Sequence, residues 1–200
     1  MDKLEVPVYL ITGFLESGKT SFLQEIFESG EFADGERGLL ISCEEGEVEL
    51  DEKATLACKI DTVTLDEEEE LTADFLENCK NVYKPKRVFV EYNGMWMLDQ
   101  LYQNMPEAWI VYQEFMFADA QTFLTYNANM RGLVVDKLKS CEMVVLNRAD
   151  QRVDKVEIHK IIRAVSRRTN IAYEDLNGEV YYDDTPDELP FDLEAPVVEI

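Results

Sequence analysis

The chain has 200 residues, 46% hydrophobic and 30% charged, a balance that suits one α/β domain with a real core. Its 42 acidic against 19 basic side chains leave a net charge of -23, a field that repels nucleic-acid backbones and anionic membranes and favours cations and basic partners. No stretch approaches the ~20 apolar residues of a membrane span, and Met1–Glu5 lacks the basic-then-apolar pattern of a signal peptide, so nucleic acid and membrane are excluded as partners and a cytoplasmic location is expected.

Cys43, Cys58, Cys79 and Cys141 are widely spaced with no Cys-x-x-Cys among them, which reads as reduced, buried thiols. In chain order, Val6–Ile11 is an apolar strand that leads into Gly13-Phe14-Leu15-Glu16-Ser17-Gly18-Lys19-Thr20. That run matches G-x-x-x-x-G-K-[ST] in full, the loop whose backbone N–H groups cradle phosphates at a helix N-terminus. Ser17–Ser29 follows with helical spacing, Phe22, Leu23, Ile26 and Phe27 on one face and Gly30 as the stop. The candidate nucleotide contacts are therefore Gly13, Glu16, Ser17, Gly18, Lys19, Thr20 and Ser21. Lys19 is expected to reach the β- and γ-phosphates and the Thr20 hydroxyl to coordinate magnesium. Glu16, an acid in a loop that holds anions, is expected to point outward.

Leu39–Ile41 reads as a buried strand, Glu47–Cys58 as a polar, partly helical stretch, and Thr62–Leu65 as a strand. The acidic run Asp66–Glu70 reads as an exposed loop and first helical turn, ahead of a helix over Leu71–Tyr83. Val88–Val90 is a strand ending in Glu91, the form of a Walker B element, where the acid holds magnesium or orients the attacking water. Gly94, three residues on, is placed to offer its N–H to the γ-phosphate. Met95–Met105 reads as helix, Trp109–Phe117 as strand, Gln121–Lys139 as helix broken at Gly132, and Met143–Leu146 as strand. Val153–Arg168 reads as a helix with His159 on its surface, and Val180–Tyr182 as the last strand. Trp96, Trp109, Tyr112 and Phe117 read as core aromatics before a docking face.

Asn147-Arg148-Ala149-Asp150 resembles the guanine-reading Asn-Lys-x-Asp at the end of a late strand. Its acid accepts from the N1–H and 2-amino groups that guanine has and adenine lacks, so ATP would leave a buried carboxylate unpaired. Arg148 stands where lysine is usual, and the two are not equivalent. The other reading of Asp150 is a cap on the following helix. Strands alternating with helices predict an α/β chain with a three-layer αβα P-loop nucleotide hydrolase fold and a mostly parallel sheet. The expected domain spans residues 1–182, with 183–200 an acidic linker or the start of a missing C-terminal domain.

Together these motifs resemble the CobW-type GTPases, relatives of the metallochaperone GTPases HypB and UreG. The resemblance covers most of residues 5–168. The family's Gly-Phe-Leu-Gly-x-Gly-Lys-Thr becomes Gly13–Thr20 with Glu16 in place of glycine, and its Glu-x-[ST]-Gly becomes Glu91-Tyr92-Asn93-Gly94. Its Asn-Glu-Phe-Gly-Glu-Val-Gly-Ile-Asp segment becomes Cys43–Asp51, which implies Glu47 and Asp51 beside the γ-phosphate and magnesium. The resemblance implies a GTP/GDP switch with magnesium-dependent, slow hydrolysis in which Lys19, Glu47 and Glu91 carry catalysis. It implies Thr20, Glu47, Asp51 and Glu91 around the metal, and Gly94, Asn147, Arg148 and Asp150 as further nucleotide contacts. It also implies metal homeostasis or delivery to a protein client or metalloprotein; a homodimer and a bound transition metal, zinc or cobalt, are further expectations. The family's Cys-x-Cys-Cys motif is replaced by Leu65–Glu70, whose carboxylates favour harder cations than thiolates do; Cys43 and Cys58, which flank the acidic segment, read as buried thiols before substitute ligands. The competing readings are an ATP-dependent kinase or ATPase on the same scaffold, and a nucleotide-binding interaction module that does not hydrolyse.

Overall fold

The computed structural model describes residues 5–43 and 50–185. Eight strands form one sheet: β1 Val6–Gly13, β2 Gly38–Ser42, β3 Ile60–Thr64, β4 Arg87–Asn93, β5 Trp109–Asp119, β6 Met143–Ala149, β7 Asn170–Asp175 and β8 Val180–Tyr182. Their order is β3-β2-β4-β1-β5-β6-β7-β8, and every pairing is parallel except β7 with β8. The helices are α1 Lys19–Ser29, α2 Glu52–Ala57, α3 Ala73–Tyr83, α4 Leu98–Asn104, α5 Phe123–Asn129, α6 Arg131–Leu138 and α7 Lys155–Val165. None is long and apolar enough to cross a membrane.

Alternation along the strands sends successive side chains to opposite faces. Val8, Leu10, Leu39, Ile41, Val88 and Val90 meet Leu76 of α3 and Leu98 and Leu101 of α4. The same face continues through Met116, Val144, Leu146 and Ile171 to Val134 of α6 and Ile158 and Ile162 of α7. Ile11, Leu40, Phe89 and Phe117 point the other way, against Leu23 and Phe27 of α1 and Ala54 of α2. The three-layer architecture expected of the pattern is therefore the one formed, and Trp96, Trp109 and Phe117 are buried in it while Tyr112 is exposed. All four cysteines are buried, and among the described residues none is in a disulfide.

Several local expectations need correction. The strand β7 was not expected, because its apolar run is short. The helix over Met95–Met105 is only Leu98–Asn104, and the acidic run forms a short 3-10 turn at Glu68–Glu70 before α3 opens on its Thr72 cap. The break in Gln121–Lys139 falls at Met130, not at Gly132, which lies inside α6. A glycine permits a break without forcing one. The turn falls where Tyr126 of α5 stacks on Phe14 while Val134 and Leu138 of α6 enter the core.

His159 is buried and not on the helix surface, 1% exposed, with its Nδ1 2.5 Å from Asp183 Oδ2. The helix turns His159 inward beside Ile158, and an acid just past β8 makes that burial tolerable. Asp183 thus packs against the domain; residues 186–200 lie outside the described residues. Burial pushes the Asp183 carboxyl up, but hydrogen bonds from Thr185 and His159 outweigh it and hold the group below the usual carboxylate range. A depressed carboxylate contributes stability above its unfolded pKa and loses it as pH falls through the folded one. Asp183→Asn should therefore lower the melting temperature at neutral pH, and the gap from wild type should close as pH falls below about 3.9. Thermal melts across pH check this; a gap that persists unchanged into acid would refute it.

Candidate nucleotide-binding site

In an open parallel sheet, ligands bind beyond the carboxyl ends of the strands, near the point where strand order reverses. Here β1 lies between β4 and β5, and the Gly13–Thr20 loop joins it to α1. Lys19 is 2% exposed and its ammonium donates to the carbonyls of Gly13 and Phe14, both at 2.9 Å. The loop thus wraps its own lysine, holding a positive charge at its centre. Gly18 has φ +92°, and a Cβ there would come within 2.6 Å of the Asn147 amide nitrogen. Gly94 is excluded from substitution by space alone: its Cβ would lie 2.5 Å from the Gly13 carbonyl oxygen. The turn after β4 therefore presses directly on the phosphate loop.

Glu91 is 3% exposed and joins two elements. It accepts from the Thr20 hydroxyl at 2.5 Å and from the Ser42 hydroxyl at 2.8 Å. Side-chain oxygens from α1, β2 and β4 so converge at one point, and oxygen is the kind of donor a hard cation takes. Ser42 is the residue sequence reasoning missed. Its signal was a hydroxyl closing an apolar strand, at the end of the sheet where ligands bind. Asp51 caps α2, accepting from Lys53 N at 2.9 Å, and its own N–H donates to Gln24 at 2.8 Å. Gln24 is one helical turn on from Thr20, so Asp51 lies on the Thr20 side of α1. Glu47 lies outside the described residues.

The base-reading segment meets the same loop. Asn147 donates to the Ser17 carbonyl at 2.5 Å, which ties β6 to the loop. Arg148 has φ +52°, which produces the irregularity in the β6–β7 register. It donates to Asp119 at 2.8 Å and to the Glu16 carbonyl at 2.6 Å. Asp150 accepts from Arg152 through its backbone N–H at 2.8 Å and through its guanidinium at 2.8 and 2.5 Å. The Arg152 hydrogen bonds hold the Asp150 carboxyl below its usual range. Asp150 is not the cap of α7: Asp154 is, accepting from Glu157 N at 3.0 Å.

Two buried oxygens at this junction, Ser17 Oγ and Asn147 Oδ1, have no hydrogen-bond partner. Beside Asn147 a cleft of about 510 Å³ runs along the open α1-side face of β6 and β7, lined by Gly18, Ser21, Phe22, Asn147, Arg148, Asp175 and Leu176 among others. That volume falls within the ~300–1,000 Å³ typical of ligand sites. An unsatisfied buried polar atom beside a cleft of this size fits a polar ligand. Among the described residues no three His, Cys, Asp or Glu side chains group to hold a metal ion. Cys43 and Cys58 belong to cores on opposite faces of the sheet, so the two thiols do not converge on one ion.

Glu16 is exposed, as expected, and has φ +57°. A non-glycine residue there costs on the order of 1 kcal/mol. Glu16→Gly should relieve that strain and strengthen triphosphate binding by up to about 1 kcal/mol through loss of a like charge. The affinity gain should shrink as salt rises; a salt-independent gain would rule out the electrostatic cause, and titrations at two ionic strengths decide it.

The family model for the CobW/HypB/UreG nucleotide-binding domain matches residues 7–173. No curated protein matches the chain in sequence. The Zn(II)-bound YjiA GTPase from E. coli is similar in structure, at 21% identity and TM-score 0.60, over 87% of this chain and 60% of that one. The hydrogenase maturation factor HypB from Archaeoglobus fulgidus is similar at 13% identity and TM-score 0.58, over 88% of this chain and 84% of that one. The signal recognition particle 54 kDa protein from Aeropyrum pernix K1, in complex with GDP, is similar at 15% identity and TM-score 0.54, over 92% and 45%. At such identities these likenesses establish the P-loop fold.

Proposed function

The chain belongs to the CobW/HypB/UreG nucleotide-binding domain family, and from that membership we propose that it is a GTP-binding switch with slow, magnesium-dependent GTPase activity. The observation that carries the reading is the convergence of three separate sequence elements on one loop: Lys19 inside it, Glu91 on Thr20, and Asn147 on Ser17. Lys19 would exchange the carbonyls of Gly13 and Phe14 for the β- and γ-phosphates, and Gly94 would offer its N–H to the γ-phosphate. Thr20 and Glu91 would hold magnesium, joined in the family's pattern by Glu47 and Asp51. Bound there, magnesium supplies neutralisation of charge on the phosphate oxygens. Glu91, buried and held by hydrogen bonds from two sides, would also orient the attacking water. Asp150 would read guanine after giving up the Arg152 guanidinium, with Arg148 beside the base.

Catalysis in such a site is mostly positioning and charge stabilisation, which accords with slow turnover completed by a partner. Membership and the Zn(II)-bound neighbour support a role in metal homeostasis or delivery to a metalloprotein client. Four buried thiols outside any disulfide among the described residues support a reducing, cytoplasmic setting.

The test is equilibrium binding of fluorescent GTP with magnesium, competed by GTP, GDP and ATP with and without zinc, followed by multiple-turnover phosphate release. Displacement by GTP and GDP alone, with turnover, is expected. Equal competition by ATP would move the kinase or ATPase reading ahead, and binding without turnover would leave an interaction module.

A further inference from the structure

The turn that follows Glu91 is held from several sides by groups that no part of the nucleotide reading uses. Asn93 Oδ1 accepts from Met95 N at 2.9 Å, and the Tyr92 hydroxyl donates to the Met97 carbonyl at 2.7 Å. The other two anchors come from α6. Lys137, 0% exposed, donates its ammonium to the Trp96 carbonyl at 2.5 Å and to Asp136 Oδ2 at 2.9 Å. Asp136 Oδ2 in turn accepts from Leu98 N at 3.0 Å, at the start of α4. The ammonium also lies over the Tyr92 ring, 5.8 Å from its centre.

Burying a lysine completely is costly, and a buried ion pair is weak evidence for stability. Burial pulls the Lys137 ammonium below its usual range, and contact with Asp136 opposes that. What the pair does is specific. It fixes one carbonyl and one amide on either side of Met97, just beyond the glycine that packs on Gly13 and Phe14. That clamp holds the far end of a turn closed by Trp96 N donating to the Asn93 carbonyl at 3.1 Å, the turn that carries the Gly94 N–H.

We infer that Lys137 and Asp136 are positioning residues for the Gly94 turn, coupling α6 to the γ-phosphate and setting the preference for triphosphate over diphosphate. This rests on the reading of Gly94 as a γ-phosphate contact. A group that acts only on the γ-phosphate side must change GTP affinity and leave GDP affinity alone, since GDP never meets that turn.

The test uses the full chain carrying Trp109→Phe, which leaves Trp96 as the single tryptophan of the two in the sequence. Affinities for GDP and for a non-hydrolysable GTP analogue, both with magnesium, are compared with and without Lys137→Met. The expected result is unchanged GDP affinity and a GTP preference about tenfold smaller, within the range typical of coupled sites. The difference in Trp96 emission between the two bound states should also be lost. Lys137→Met leaves Asp136 buried and unpaired, which can unfold the chain. The double variant Asp136→Asn/Lys137→Met removes both charges while keeping an acceptor for Leu98 N, and it decides the matter if the single variant is unfolded. Equal loss for GDP and the analogue, or an unchanged preference with an intact Trp96 response, would overturn the inference. A parent chain that binds neither nucleotide would overturn the underlying reading and this inference with it.

Discussion

Lys19→Ala should abolish measurable binding of magnesium GTP, with a loss of at least about 3 kcal/mol, roughly a hundredfold in affinity. The lysine is buried at the centre of the phosphate loop, where two carbonyls already accept hydrogen bonds from its ammonium. Phosphate oxygens are charged and carbonyls are not, so exchanging one set for the other strengthens each contact. The surrounding charge raises the stakes further, because a chain at -23 offers a triphosphate few other cations. The same substitution removes two bonds that shape the loop, so lost binding alone is ambiguous between charge and loop collapse. Lys19→Met, which keeps the buried stem, separates the two. It should melt near the wild-type temperature and still fail to bind in a calorimetric titration. Wild-type affinity in either variant would sink the phosphate-loop assignment.

Asp150→Asn should weaken GTP by about 2 kcal/mol while leaving ATP binding unchanged. Two guanine donors converge on the two oxygens of one carboxylate, and an Asn amide keeps one of those oxygens and turns an NH2 donor toward the other guanine donor. Arg152 already occupies that carboxylate with a two-pronged contact, so guanine must displace a charged partner before it is read. Arg152 is mostly exposed, and an exposed pair contributes only about 0–1 kcal/mol. Its displacement is therefore affordable on binding, and Arg152→Ala should raise GTP affinity modestly in the same competition assay. If Asp150→Asn cost GTP and ATP equally, the residue would be serving the fold of the Asp150–Arg152 turn and not the base.

The site is more legible in the sequence than the fold around it. Lys19, Thr20, Glu91, Gly94 and Asn147 all meet at one end of the sheet, because each sits at a strand end or helix start whose position follows from chain order once the sheet is parallel. The cap reading of Asp150 failed because two acids, Asp150 and Asp154, precede the same helix, and only the backbone decides which one its amides face. His159 was misplaced because helical spacing alone cannot reveal that an acid distant in sequence will arrive to neutralise its burial. Ser42 was overlooked because its role exists only relative to Glu91 on a neighbouring strand.

By itself the sequence determined the α/β class, the phosphate loop and the two motifs downstream of it, because these depend on local periodicity and on fixed spacings along the chain. Only the tertiary structure decided which hydroxyls share the Glu91 carboxylate, which guanidinium covers Asp150, and how a buried lysine on α6 reaches the turn after Glu91. Except for Arg152, two residues from Asp150, the partners lie dozens of positions apart, brought together by strand order and by packing of the two helical layers, and no local pattern encodes them.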